Sequence, residues 1–339
     1  MSRLSPLSLR DTASYLPKAV IDNGFYQCAL TGSAPHPLFR GTRLRHHIAP
    51  GERAADMIAH AAQKLIDRQH LDPARDIDVL LTNVSLPDQP FTGCGAAVAQ
   101  LIGARPRHIL DLSNGDCVSF LLMLEQARAL FTATGARSAL ICNAQTAGGR
   151  IFNHPASRSL PQSALPGDGA GVAYVVADDS APLLSLLTQS YPENANELRL
   201  QAADRDWWAP GSGALNVDFS MPTIAAIIWR ANQLMPRVLN EALQMAGLQP
   251  SDVACLVTNQ PNRTLLRNWR EAMQLAPERH ANTFDEHGDL FGAALPIGIE
   301  RARDDGVLEP GEILLLGGFS HAGDYAAAAA LRWPDSLCC

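Results

Sequence analysis

Cys117 stands in the stretch "LSNGDCVSF", where the strand-like "HILDL" passes through a turn of small and polar residues into the apolar helix pattern "CVSFLLMLEQARALFTATG". A cysteine at the start of a helix faces the positive end of the helix dipole and backbone N–H groups that have no partner within the helix. Both favour a thiolate. A sharp strand-to-helix turn also aims the sulfur at a pocket, and the cysteine's own N–H is then placed to help hold an oxyanion. From spacing alone, Cys117 reads equally as a nucleophile and as a small core residue. The core is the usual place for a cysteine in such a chain.

The elements that must position it read as an α/β pattern. Short, nearly continuous apolar runs, "DIDVLLTNVSLP", "SALICNAQTA", "GAGVAYVVAD", "DVACLVTNQ" and "GEILLLGGFS", read as strands of sheets covered on both faces. Helix patterns lie between them, among them "ERAADMIAHAAQKLIDRQ", "TIAAIIWRANQLMPRVLNEALQMAG" and "LPIGIERARDDG", with Gly135 and Gly247 as helix C-caps. The order repeats weakly. A long helix precedes "LDPARDIDVLLTN", and another precedes "LQPSDVACLVTNQ". The shared pattern hints at a duplicated unit with its seam near "ADDSAPLL".

Composition narrows the function classes. The 339 residues are 47% hydrophobic and 18% charged, enough for a large core. No apolar run reaches the ~18 residues of a spanning helix, and no signal-peptide pattern opens the chain, so a cytoplasmic location is expected. A net charge of -7 disfavours a general nucleic-acid role. The cysteines, seven in all, lack paired metal spacing, and Cys338 and Cys339 are adjacent, so no metal site is expected.

With these residues in place, the chain resembles a β-ketoacyl-ACP synthase III of the thiolase superfamily, nearly end to end. "TASYLPKAVIDN" resembles the family's opening strand and turn, and "DLSNGDCVSFLLMLEQARAL" its active-site cysteine segment. "LTNVSLPDQPFTGCGAAVAQLIGA" resembles the loop and helix of its dimer interface, with Phe91 as the residue that would reach a neighbour. "LPGDGAGVAYVV" resembles its GDGAG strand entry. "TNQPN", "HGDLFGAALP" and "LLLGGFSHAG" stand where the family has its His-Gln-Ala-Asn, Gly-Asn-Thr-Ser and Gly-Phe-Gly-Gly-Gly motifs. The resemblance implies a thiolase-like five-layered αβαβα fold of two similar halves, residues 1–178 with Cys117 and residues 179–339 with Asn259, Asp289 and His321. It also implies a homodimer, no tightly bound cofactor, and acyl-CoA or a phosphopantetheinyl acyl carrier protein as substrate.

The departures fall on catalytic positions. The family's histidine is replaced by Asn259 and its asparagine by Asp289. In the family these two donate hydrogen bonds to a malonyl thioester and stabilise the enolate formed on decarboxylation. An ionised carboxylate only accepts hydrogen bonds, so Asp289 helps there only if burial keeps it protonated. Acyl transfer through Cys117 needs instead a base for the acceptor, for which His287 and His321 are candidates, either pairing with Asp289 in the manner of a triad. His46, His47 and His154 read as structural. "GDGAG" reads as a tight turn for close backbone approach rather than a phosphate loop.

Arg263, Arg267 and Arg270 fall at helical spacing in "NRTLLRNWREAM", with Leu265, Leu266 and Trp269 on other faces. The resemblance makes this basic stripe the docking site for a carrier protein or a phosphopantetheine phosphate. "SAPHPLFRGTRLRHH" lacks the tryptophan that often stacks on coenzyme A in the family, leaving Arg40, Arg43 and Arg45 as phosphate partners and favouring a carrier-bound donor. Trp207, Trp208 and Phe219 are candidates for limiting acyl size. The primary reading is an acyltransferase of specialised metabolite or polyketide assembly. The alternatives are a condensing enzyme and a non-catalytic subunit of a heterodimeric synthase.

Overall fold

The structure is a computed structural model that describes residues 5–26, 42–89, 91–113, 115–195, 197–198, 200–202, 205–206, 209, 214–217, 221–320 and 322–334. Arg40, Trp207, Trp208, Phe219 and His321 lie outside the described residues.

The described residues build a five-stranded and a four-stranded sheet. The first contains β1 (Ser8–Tyr15), β4 (Val79–Val84), β5 (His108–Leu112), β6 (Ser138–Gln145) and β7 (Gly169–Val176), in the order β1-β7-β6-β4-β5. The second contains β8 (Leu183–Ser190), β11 (Val253–Thr258), β12 (Ile313–Phe319) and β13 (Tyr325–Arg332), in the order β11-β12-β13-β8. Small pairs join β2 (Ala19–Asp22) to β3 (Leu44–His47) and β9 (Leu200–Ala202) to β10 (Leu215–Val217). The helices are α1 (Ala54–Arg68), α2 (Pro73–Asp76), α3 (Gly95–Ile102), α4 (Ser119–Thr134), α5 (Met221–Ala246), α6 (Arg263–Ala272), α7 (Phe284–His287) and α8 (Ala294–Asp304).

The sheets repeat one plan. β4 pairs parallel with β6, which pairs antiparallel with β7, which pairs antiparallel with β1. In the same way β11 pairs parallel with β12, then β13 and β8 follow antiparallel. The repeated sequence pattern sits at equivalent places, with Thr82-Asn83 in β4 matching Thr258-Asn259 at the end of β11. The layers follow from which faces are apolar. α1 buries Met57, Ile58, Ala61, Leu65 and their neighbours at helical spacing against the outside of the first sheet. α4 lies between the sheets, touching β4 and β6 on one side and β8 and β13 on the other. α8 bridges β1 and β7 to β11, and α5 covers the outside of the second sheet with α6 against it. The result is the αβαβα stack of two similar halves. Gly135 and Gly247 close α4 and α5 in the left-handed conformation, as their sequence positions predict. No helix among the described residues is long and apolar enough to cross a membrane.

Candidate active site

The strand β5 leads through Gly115 (φ 80°) and Asp116 (φ 26°) into a single 3-10 turn, Asp116–Val118, and from there into α4. A non-glycine residue at positive φ is uncommon, and aspartate tolerates it better than most. The turn is clamped on every side. Ser119 Oγ donates to the Asp116 carbonyl at 2.5 Å, and Asn143 Nδ2 donates to Ser119 Oγ at 2.7 Å. A side chain at Gly292 would overlap the Asp116 carbonyl, and one at Gly318 would meet the Cys117 carbonyl oxygen at 3.0 Å. Cys117, only 7% exposed, lines a cavity of about 320 Å³.

That cavity brings Cys117 together with Asn259 and Asp289, from opposite halves of the chain. Asn259 follows β11 and is buried. Its Nδ2 donates to the Phe319 carbonyl at 3.2 Å, and its Oδ1 accepts from the Phe319 N–H at 3.1 Å. The side chain therefore clips β11 to the end of β12, and one Nδ2 hydrogen remains to donate. Asp289 is fixed by its backbone. Its N–H donates to the Leu165 carbonyl at 2.9 Å, and its carbonyl accepts from the Gly167 N–H at 3.1 Å. Its Oδ1 accepts from the Phe291 N–H at 3.0 Å. Burial pushes the Asp289 carboxyl up to about 8, the Phe291 hydrogen bond opposes that rise, and the negative charge of Asp116 adds to it. At neutral pH Asp289 is mostly a protonated acid, and its O–H can donate.

The "GDGAG" stretch makes this placement possible. A side chain at Gly167 would overlap the His287 carbonyl, so only glycine lets the two segments meet. Its Asp168 is fully buried and accepts from the N–H groups of Ile48, Gly148 and Gly149 at 2.7–2.8 Å. These bonds hold the π-helical turn Gly148–Phe152, whose Ile151 and Phe152 form part of the cavity wall. Ile224, Ile227 and Ile228 of α5 form another part.

Other expected residues fall elsewhere. His287 does not line the cavity. Gly288 (φ 75°) turns the chain between it and Asp289, and its ring packs instead on His46 with centroids 5.4 Å apart. Burial lowers its imidazole to about 4, which keeps it neutral. The base assignment to His287 is therefore corrected. Arg45 is no phosphate partner either: it is fully buried, donating to Asn23 Oδ1 at 2.7 Å and the Ala164 carbonyl at 2.8 Å. Arg43 is exposed near Asp285. On α6, Arg263 and Arg267 face solvent, paired with Asp285 and Glu271, whereas the Arg270 side chain is only 20% exposed and also reaches Glu271, at 3.4 Å. Leu265, Leu266 and Trp269 are buried rather than presented, and Leu265 reaches the cavity. His47 contacts Tyr26 Oη at 2.9 Å, and the N–H of Ala156 donates to His154 Nδ1 at 3.2 Å, both structural roles. The residue that sequence reasoning passed over is Asp116. Its signal was there, a charged residue in the tight turn directly before the nucleophile.

A buried cysteine on a clamped turn, with a cavity lined from two duplicated α/β halves, is the arrangement of a thiolase-like fold and resembles the β-ketoacyl-ACP synthases III. Comparison with known proteins agrees. Residues 243–333 match the family model described as 3-oxoacyl-[acyl-carrier-protein (ACP)] synthase III C terminal. The beta-ketoacyl-[acyl-carrier-protein] synthase III of Methylococcus capsulatus is 26% identical over 333 residues, covering 98% of this chain and 99% of that one. The crystal structure of 3-oxoacyl-(acyl carrier protein) synthase III from Pseudomonas aeruginosa superposes with a TM-score of 0.82 at 26% identity, covering 97% and 98% of the two chains. The priming β-ketosynthase of the R1128 polyketide biosynthetic pathway shares the fold, with a TM-score of 0.85 at 22% identity over 99% and 98%. The chain is thus similar to β-ketoacyl-ACP synthases III along nearly its whole length.

Proposed function

We propose that this protein is an acyltransferase of the synthase III type, working in specialised metabolite or polyketide assembly. Cys117 Sγ attacks the carbonyl of an acyl thioester on CoA or a carrier protein. The tetrahedral intermediate collapses, the donor thiol leaves with the proton, and an acyl-Cys117 thioester remains. An acceptor hydroxyl, amine or carrier thiol then attacks that thioester. Asp289, in its ionised form, takes the acceptor's proton, and Cys117 leaves as the thiolate and is reprotonated. His321 is the other candidate for this proton. The observation that carries the reading is the cavity itself, which joins Cys117 to a titratable Asp289 and a donating Asn259. It also speaks against a purely non-catalytic subunit. Loading of Cys117 from an acyl donor, followed by intact-protein mass spectrometry, tests the first step.

A second reading, decarboxylative condensation, is supported by one observation. Protonated Asp289 and Asn259 each offer a hydrogen to the same cavity, as an enolate oxygen requires.

The halves divide at residues 178 and 179, between β7 and β8. The exposed Arg263 and Arg267, with Arg43, are the docking face for the carrier protein. A homodimer is supported by β5, an edge strand that carries the partly exposed Ile109 and Leu110, and by Phe91, 99% exposed. An apolar strand edge of this kind calls for cover.

A further inference from the structure

We infer that Arg230 is a specificity-determining positioning residue: through Glu197 and the Ala322 carbonyl it ties α5 to the segments that carry Leu198 and Phe319, and so sets the length of chain that can reach Cys117. As a statement about acyl donors, the inference rests on Cys117 being the acylated nucleophile.

Ile224, Ile227 and Ile228 of α5 line the cavity. Arg230 lies three residues after Ile227, on the same side of that helix. Its Nη1 donates to Glu197 Oε2 at 2.8 Å and its Nη2 to Glu197 Oε1 at 2.6 Å, a two-pronged pair. Nη1 also donates to the Ala322 carbonyl at 2.6 Å. Each partner adjoins another lining residue. Leu198 follows Glu197 directly. Ala322 sits in the turn after Phe319, and that turn packs on the Phe319 ring: a side chain at Gly323 (φ 91°) would meet ring atoms at 2.9 Å. The two segments are also joined to each other. Asn194 Nδ2 donates to the Gly323 carbonyl at 2.8 Å, and the Tyr191 N–H donates to the Asp324 carbonyl at 2.7 Å. They form one unit, and Arg230 ties that unit to α5. The Arg230 side chain is 16% exposed and that of Glu197 31%, so water screens the pair only in part. Chain-length selection follows from the tie. One methylene more or less in an apolar pocket changes the rate about tenfold or more, provided the walls keep their spacing. The Phe319 backbone is clipped separately to Asn259, so the end of β12 stays in place when the tie is lost. What Arg230 fixes is the gap between the α5 wall and the wall that Leu198 and Phe319 supply. Without the tie, that gap yields to a longer chain.

Alkyl methanethiosulfonates probe the gap without acyl transfer. The Cys117 thiolate attacks the alkyl-bearing sulfur, methanesulfinate leaves with the electron pair, and Cys117 carries a mixed disulfide of chosen chain length. Rates with the methyl and octyl reagents are read at Cys117 by peptide mass spectrometry in the unaltered protein, Arg230→Met, Arg230→Lys and Glu197→Gln. Arg230→Met keeps an apolar stem and removes the fork. It is expected to raise the octyl-to-methyl rate ratio at least about fivefold. Glu197→Gln is expected to raise it less, and Arg230→Lys to fall between the unaltered protein and Arg230→Met. A role in stability alone would lower the Tm and leave the ratio unchanged. An unchanged or lower ratio in Arg230→Met would overturn the inference. If that variant does not fold, the same result in Glu197→Gln overturns it. Acetyl-CoA and octanoyl-CoA then carry the test to acyl donors, with loading in Arg230→Met expected to shift toward octanoyl. Failure of the unaltered protein to load either donor overturns the nucleophile reading, and the thiosulfonate ratio still decides the role of Arg230.

Discussion

Cys117 and Asp289 carry opposite demands at the residue scale: one must lose a proton to attack, and the other holds one at neutral pH. Cys117→Ala is predicted to abolish acyl loading, seen as loss of the mass adduct. For Asp289 the sign of the pH effect follows from its raised carboxyl. Between about pH 4 and 8 the folded protein keeps a proton there that the unfolded chain has released. Stability from this group is therefore lost progressively as pH rises through that window, by up to a few kcal/mol. Asp289→Asn removes the dependence. The Tm of the variant relative to the unaltered protein is predicted to climb from pH 4 to 8 and then level, as differential scanning fluorimetry can record. If Asp289 is the base, transfer rates climb through about pH 8 in the unaltered protein, and this limb disappears in Asp289→Asn. The sequence made Cys117, Asn259 and Asp289 legible because each sits in a recognisable stretch. It misled at His287, since proximity in sequence says nothing about which way a chain turns at Gly288. Asp116 was hidden in a turn read only for its small residues.

Elements decide how firmly those residues are held. Gly292→Ala sets a methyl group against the Asp116 carbonyl, Ser119 and Asn143. Overpacking of this kind costs about 1–3 kcal/mol, and the displaced turn is predicted to slow Cys117 loading at least tenfold while the fold survives. Circular dichroism and loading kinetics together check this. Asp168→Ala leaves buried N–H groups of Ile48, Gly148 and Gly149 without their acceptor and is predicted to lower the Tm by several degrees. The apolar runs of β4, β6, β7, β11 and β12 were legible in the sequence. β13 was not, because "YAAAAALR" is a run of strong helix formers. It is a strand because β12 and β8 pair with it on both edges while α4 and α5 pack on its faces, where only small side chains fit.

At the scale of the whole molecule, duplication was legible from a single recurring pattern, since equivalent strands need equivalent lead-ins. The outer surfaces were less so, because ion pairing and burial of a helical residue depend on its neighbours in space. Asp285 and Glu271 offset part of the basic stripe, and Arg270 is mostly covered. Arg267→Glu is predicted to raise the KM for a carrier-bound donor by about three- to tenfold at low salt, with the difference shrinking as salt is added. Leu110→Arg on the edge strand is predicted to shift a dimer toward monomer in light scattering.

The proposed function turns on one step, the passage of an acyl group through Cys117 to an acceptor without a new carbon–carbon bond. Its most direct test is a chase. Protein loaded on Cys117 is mixed with malonyl-carrier protein and, separately, with hydroxyl, amine and carrier-thiol acceptors, and all species are followed by mass spectrometry. The acyl group is predicted to leave to one of the latter, and malonyl-carrier protein to yield no extended chain. An extended product with loss of carbon dioxide would contradict it and assign Asn259 and protonated Asp289 to condensation.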